Sequence, residues 1–139
     1  MRAGDQGCDA HLREGQEYLG WTNYYGTRDS IDQAFGVFNA IDPLRGNVAW
    51  RKRLPGVPLG GITATAGGIV MTGTVDGNFY VRDASTGNEL LKTNLGGAID
   101  GGVITYKAKG KQYVAAAAGD NNMTFGVKGD NTIVVMGLP

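Results

Sequence analysis

Short apolar stretches alternate along the chain with clusters of turn-forming residues, and the alternation repeats. Residues 36–42 (Gly-Val-Phe-Asn-Ala-Ile-Asp) and 77–83 (Gly-Asn-Phe-Tyr-Val-Arg-Asp) are each opened by Gly and rich in Phe, Val, Ile and Tyr. That composition predicts strands. Each stretch runs into four residues, Asp-Pro-Leu-Arg or Asp-Ala-Ser-Thr, that lead to Gly46 or Gly87. An Asp carboxylate can accept from a following backbone N–H, and Gly accepts the positive φ that closes such a turn. A second strand is predicted to start at Asn47 and at Asn88, so each unit reads as a β-hairpin. The run Tyr113–Ala118 is strand-length, and Tyr18–Tyr25 is the one candidate strand in the first 33 residues.

The two units lie 41 residues apart: Gly36, Phe38, Asp42 and Gly46 recur as Gly77, Phe79, Asp83 and Gly87. The spacing extends further, since Gly60-Gly61-Ile62 recurs as Gly101-Gly102-Val103. A fixed period of about 40 residues marks an array of supersecondary units that bury their faces only against one another. The expected organisation is a polar and aromatic lead-in over 1–33, with 26–32 as loop, followed by the repeats over 34–139.

Composition narrows the class. The chain has 24 Gly in 139 residues, more than twice average usage; they fall at turns and not in a Gly-x-y period, which excludes collagen. Its 13 basic and 13 acidic residues balance, so no nucleic-acid partner and no anionic membrane surface is expected. No apolar run approaches the ~20 residues of a membrane helix. The N-terminus lacks the apolar core of a secretory signal.

Candidate chemistry is sparse. Cys8 is the only cysteine and His11 the only histidine; two ligand types within four residues do not make a metal site. Ser30 and Ser85 lack a nucleophile setting. The pairs Gly60-Gly61 and Gly67-Gly68 lack the Gly-x-Gly-x-x-Gly spacing and the helix of a phosphate loop, so they read as turns. Asp76-Gly77 and Gly129-Asp130 read as hairpin turns.

The spacing Ala40-x-Asp42-x-x-x-Gly46-x-x-x-Trp50 resembles the tryptophan-docking motif of the pyrroloquinoline quinone (PQQ) dehydrogenases. A degraded copy has Val81 for the Ala and Leu91 for the Trp. Residues 60–70, Gly-Gly-Ile-Thr-Ala-Thr-Ala-Gly-Gly-Ile-Val, together with Asp76-Gly77-Asn78-Phe79, Thr105-Tyr106 and Gly110-Lys111-Gln112-Tyr113-Val114, resemble further segments of that family in the same order. Residues 129–139 resemble the end of its dehydrogenase domain.

The resemblance implies an all-β fold: a partial β-propeller of about three four-stranded antiparallel blades, from the C-terminal portion of an eight-bladed quinoprotein propeller. It implies PQQ and calcium for the whole enzyme, a small alcohol or sugar as substrate, a periplasmic location, and the remaining blades or an upstream chain as partner. The calcium ligands and the catalytic base of the family match no motif here, so no catalytic or metal residue is assigned. What carries over is cofactor lining: Leu59, before Gly60-Gly61, where several members have Trp, and the loop Gly119-Asp120-Asn121, where some have Gly-Trp. Trp50 is expected between blades, and Leu91 in a smaller version of the same pocket. The alternative reading is a non-catalytic scaffold of PQQ-like repeats that mediates protein interactions.

Overall fold

The computed structural model describes residues 14–15 and 31–137. The candidate strand 18–25, Cys8 and His11 lie outside the described residues. The chain divides into two compact units, Met1–Ser30 and Ile31–Pro139, and the architecture that follows is that of the second.

Among the described residues nine strands and one short helix follow in order: β1 (Gly36–Ile41), β2 (Val48–Leu54), β3 (Thr63–Ala64), β4 (Ile69–Gly73), β5 (Asn78–Asp83), β6 (Glu89–Asn94), β7 (Val103–Ala108), β8 (Lys111–Ala118), α1 (Asn122–Phe125) and β9 (Thr132–Gly137). They form three antiparallel sheets of sequential neighbours: β1-β2, β3-β4-β5-β6 and β7-β8-β9. This is an open, partial propeller. Only the middle sheet has four strands; among the described residues the first has two and the third has three.

The repeated hairpin forms as its turn chemistry predicts. Asp42 Oδ1 accepts from Leu44 N at 2.9 Å, and Gly46 N donates to Asp42 O at 2.7 Å. In the second copy Asp83 Oδ1 accepts from the backbone of Ser85 and Thr86 at 3.0 and 2.8 Å, and Gly87 N donates to Asp83 O at 2.8 Å. Gly46 and Gly87 hold φ of +71° and +70°, where a Cβ is strained. Both hairpins also shift register at the same place, between Ala40 and Ile41 and between Val81 and Arg82.

Strand alternation gives the middle sheet two buried faces. Tyr80 packs with Phe38, Trp50 and Leu54 of the first sheet, joined by Val70. Met71 and Phe79 point the other way, into a cluster with Ile99, Val103 and Ala116 that Val81, Val114 and Met136 flank. These are two successive sheet-on-sheet cores. On the far face of the third sheet Ile104, Ile133 and Val135 are all at least half exposed.

Trp50 lies between the sheets, as the motif predicts. It is 9% exposed, its Nε1 donates to Ala84 O of the next hairpin at 2.8 Å, and its ring meets the edge of Phe38 at 5.3 Å between centroids. Gly87 makes room for it: a Cβ there would come within 2.7 Å of the indole.

Two expectations need correction. Leu91 fills no pocket and is 47% exposed. Its counterpart Trp50 docks on the turn between β5 and β6, and the third sheet has no fourth strand among the described residues to form such a turn. Gly129-Asp130 is not a hairpin turn but an irregular lead into β9. Gly129 is there for close approach, since a Cβ would fall 2.4 Å from Gly119 O and 2.5 Å from Gly97 Cα.

Candidate functional site

The two segments expected to line a cofactor are far apart in sequence, yet both bond to one connecting segment, residues 97–102. On one side, Gly61 N donates to Gly101 O at 3.0 Å. Gly60 sits so close that a Cβ would lie 2.7 Å from Ile99 O and 3.3 Å from Gly73 N. On the other side, Ala98 and Gly119 exchange both backbone bonds at 2.8 Å. Gly97 packs on Gly119, with space for a Cβ closed to 2.7 Å by its carbonyl. The glycines thus let three chain segments approach backbone to backbone. Leu59 remains exposed at 45%.

Asn121 organises the second segment. Its Nδ2 donates to Asp100 Oδ2, and its Oδ1 accepts from Phe125 N at 3.3 Å to cap α1. Its backbone N donates to Val127 O at 2.9 Å, and Gly126 closes the helix at φ +67°. Asp120 is exposed, outside the hydrogen bonds that Asn121 makes among the described residues.

Asp100 is the residue that sequence reasoning missed. Its Oδ1 is buried and has no hydrogen-bond partner among the described residues, which is costly for a carboxylate oxygen. A signal was present in the chain: Gly60-Gly61 recur as Gly101-Gly102, so the residue before them, Leu59, recurs as Asp100.

PQQ is a flat quinone bearing several carboxylates, so a site for it needs planar surfaces and N–H or cationic donors. The N–H groups of Gly61 and Gly119 and the amide of Asn121 already bond within the chain, so what these segments offer such a group is bare glycine backbone as a flat surface. The unpartnered Asp100 oxygen adds charge of the wrong sign for the cofactor's carboxylates. Among the described residues no group of three or more His, Cys, Asp or Glu could hold a metal ion, and no helix is long and apolar enough to cross a membrane.

Known proteins resemble the chain along this fold. Residues 26–114 match the family described as "PQQ: Glucose/ethanol/alcohol dehydrogenase, beta-propeller domain". The chain is 35% identical over 112 residues to the quinoprotein alcohol dehydrogenase PedE of Pseudomonas putida, covering 80% of this chain and 17% of that protein. It is 38% identical over 105 residues to the lanthanide-dependent methanol dehydrogenase of Methylorubrum extorquens, covering 76% and 18%. The crystal structure of quinohemoprotein alcohol dehydrogenase from Comamonas testosteroni superimposes with a TM-score of 0.56 at 35% identity, covering 61% of this chain and 13% of that one. The chain thus spans less than a fifth of the length of these relatives. With the family match extending over more than half of its residues and the three sheets stacked as propeller blades, the chain belongs to the PQQ-dependent glucose/ethanol/alcohol dehydrogenase β-propeller family.

Proposed function

We propose that this chain is the C-terminal part of the propeller of a PQQ-dependent dehydrogenase that oxidises alcohols or sugars in the periplasm. It supplies wall and partial cofactor lining, and the catalytic residues lie on other blades. The observation that carries this reading is the joining of both lining segments, 59–61 and 119–121, to the single segment 97–102 at one end of adjacent sheets. PQQ would supply two-electron acceptance from the substrate carbon, with calcium or, as the name of one relative indicates, a lanthanide polarising it.

The residues of this chain have supporting roles. Gly60 and Gly61 present bare backbone, Leu59 an apolar edge, and Asn121 holds the loop 119–126 in place through Asp100 and the α1 cap. Gly119 keeps that loop against Ala98, and Asp120 stays at its solvent side. Taking the proton of an alcohol needs a base beside the substrate hydroxyl, and that task falls to the other blades. The division of labour is tested by supplying the purified chain with PQQ, calcium or lanthanum, an alcohol and a reducible dye. No turnover is expected from the chain alone. Dye reduction abolished by a chelator would refute the assignment of catalysis to other blades.

A further inference from the structure

A cleft of about 670 Å³ opens between residues 31–35, Pro55–Val57 and the turn after β4. It involves none of the residues placed in the cofactor lining. Val57 and Val127 line it, and Val75 beside them is fully buried. Its volume falls in the range of small-molecule sites, about 300–1,000 Å³. One wall is planar. The Arg53 guanidinium lies 3.9 Å over the Phe35 ring, and Phe35 is still 53% exposed. A guanidinium stacked on a phenyl ring is a flat surface on which another ring can lie.

Charge decides what kind of ring. The ionisable residues on the cleft are Asp32, Arg53 and Asp76. Asp76 Oδ2 already accepts from Asn78 Nδ2 at 2.6 Å, and its carboxylate packs where a Gly56 side chain would be. Asp32 has a partner as well. An anionic ligand would meet these two carboxylates, and a cationic one would meet the guanidinium. We infer that this cleft binds an uncharged, planar, ring-bearing molecule, stacked on the Phe35–Arg53 wall with its apolar edge against Val57 and Val127. PQQ itself, a polycarboxylate, does not meet that description.

The test uses fluorine NMR of the whole chain with 4-fluorophenol, which is neutral at pH 7, and its charged counterpart 4-fluorobenzoate. Saturable binding of the phenol is expected, with Kd near or below ~1 mM, and binding of the benzoate at least about tenfold weaker. Val127→Trp fills the cleft and abolishes binding; Phe35→Ala, at an exposed position, weakens it about two- to tenfold. Far-UV circular dichroism verifies that each variant keeps its sheets. Absence of saturable binding, equal binding of the benzoate, or full affinity in a folded Phe35→Ala chain would overturn the inference. None of these readouts requires PQQ, so the result stands apart from the dehydrogenase reading.

Discussion

Replacing Trp50 by Ala tests the packing of one blade on the next at its most concentrated point. The indole is 9% exposed, so its removal leaves a cavity between the first and middle sheets. Truncation of a buried Trp costs about 3–5 kcal/mol. The Nε1 bond to Ala84 O goes with it, and a carbonyl left without its donor adds ~1 kcal/mol. Trp50→Phe keeps much of the volume and loses the bond, so a cost of about 1–2 kcal/mol is expected. Gly87→Ala approaches the same contact from the other side. Its Cβ would meet the ring at 2.7 Å and sit at an unfavourable φ, which predicts a further loss of 1–3 kcal/mol or about that. Because residues in contact are not additive, the double variant Trp50→Phe, Gly87→Ala should cost measurably less than the two singly. Leu91→Ala is the internal contrast: the repeat makes it the counterpart of Trp50, but at 47% exposure it should cost under ~1 kcal/mol. Urea unfolding followed by far-UV circular dichroism suits the comparison, since fluorescence changes when Trp50 is removed. With a slope of about 2 kcal/mol/M, Trp50→Ala should lower the midpoint by about 2–3 M. A cost below ~1 kcal/mol for Trp50→Ala, or equal costs at Trp50 and Leu91, would refute the docking argument.

Two further outcomes follow from local geometry. Gly129→Ala should destabilise the third sheet and the loop before it, because its Cβ would be 2.4 Å from Gly119 O; hydrogen exchange at Ala98 and Gly119 should rise, and unchanged protection there would contradict the close-packed glycine contact. Hydrogen bonds from the Ser85 and Thr86 hydroxyls, then from the Thr86 backbone, lower the Asp83 carboxyl from 3.8 to about 2. A folded-state pKa below the unfolded one favours the folded chain above pH ~4, and that contribution is lost as pH falls through about 2. Carbon NMR of the carboxyl should give a midpoint near 2 that Ser85→Ala raises; a midpoint at the ordinary Asp value would refute the turn network.

Local chemistry was legible in the chain where it is self-contained. The Asp42–Gly46 and Asp83–Gly87 turns and their flanking strands follow from residues within a few positions of one another, while the burial of Trp50 against Ala84, 34 residues away, was expected only from the resemblance of its motif to the family's. What escaped depends on distant neighbours. Leu91 could be known as exposed only once the third sheet was seen to offer no turn for it. Gly129 looked like a turn glycine because Gly-Asp is turn chemistry, yet it is required by the carbonyl of Gly119, ten residues away. Asp100 was legible only by carrying the repeat one residue before the glycine pair. The short helix α1 has no sequence period to announce it, and is held by the Asn121 cap.

The most direct test of the central claim, that these sheets are interchangeable propeller wall with partial PQQ lining, is a chimera. Residues 31–137 would replace the matching segment of the quinoprotein alcohol dehydrogenase PedE of Pseudomonas putida, and PQQ binding would be measured by absorbance titration in the presence of calcium or lanthanum. The account predicts a folded chimera that binds PQQ stoichiometrically, with affinity reduced by replacement of Gly60 or Gly119 with Val, since those backbones form the proposed lining. A folded chimera that fails to bind PQQ, while the parent enzyme binds it under the same conditions, would contradict the account.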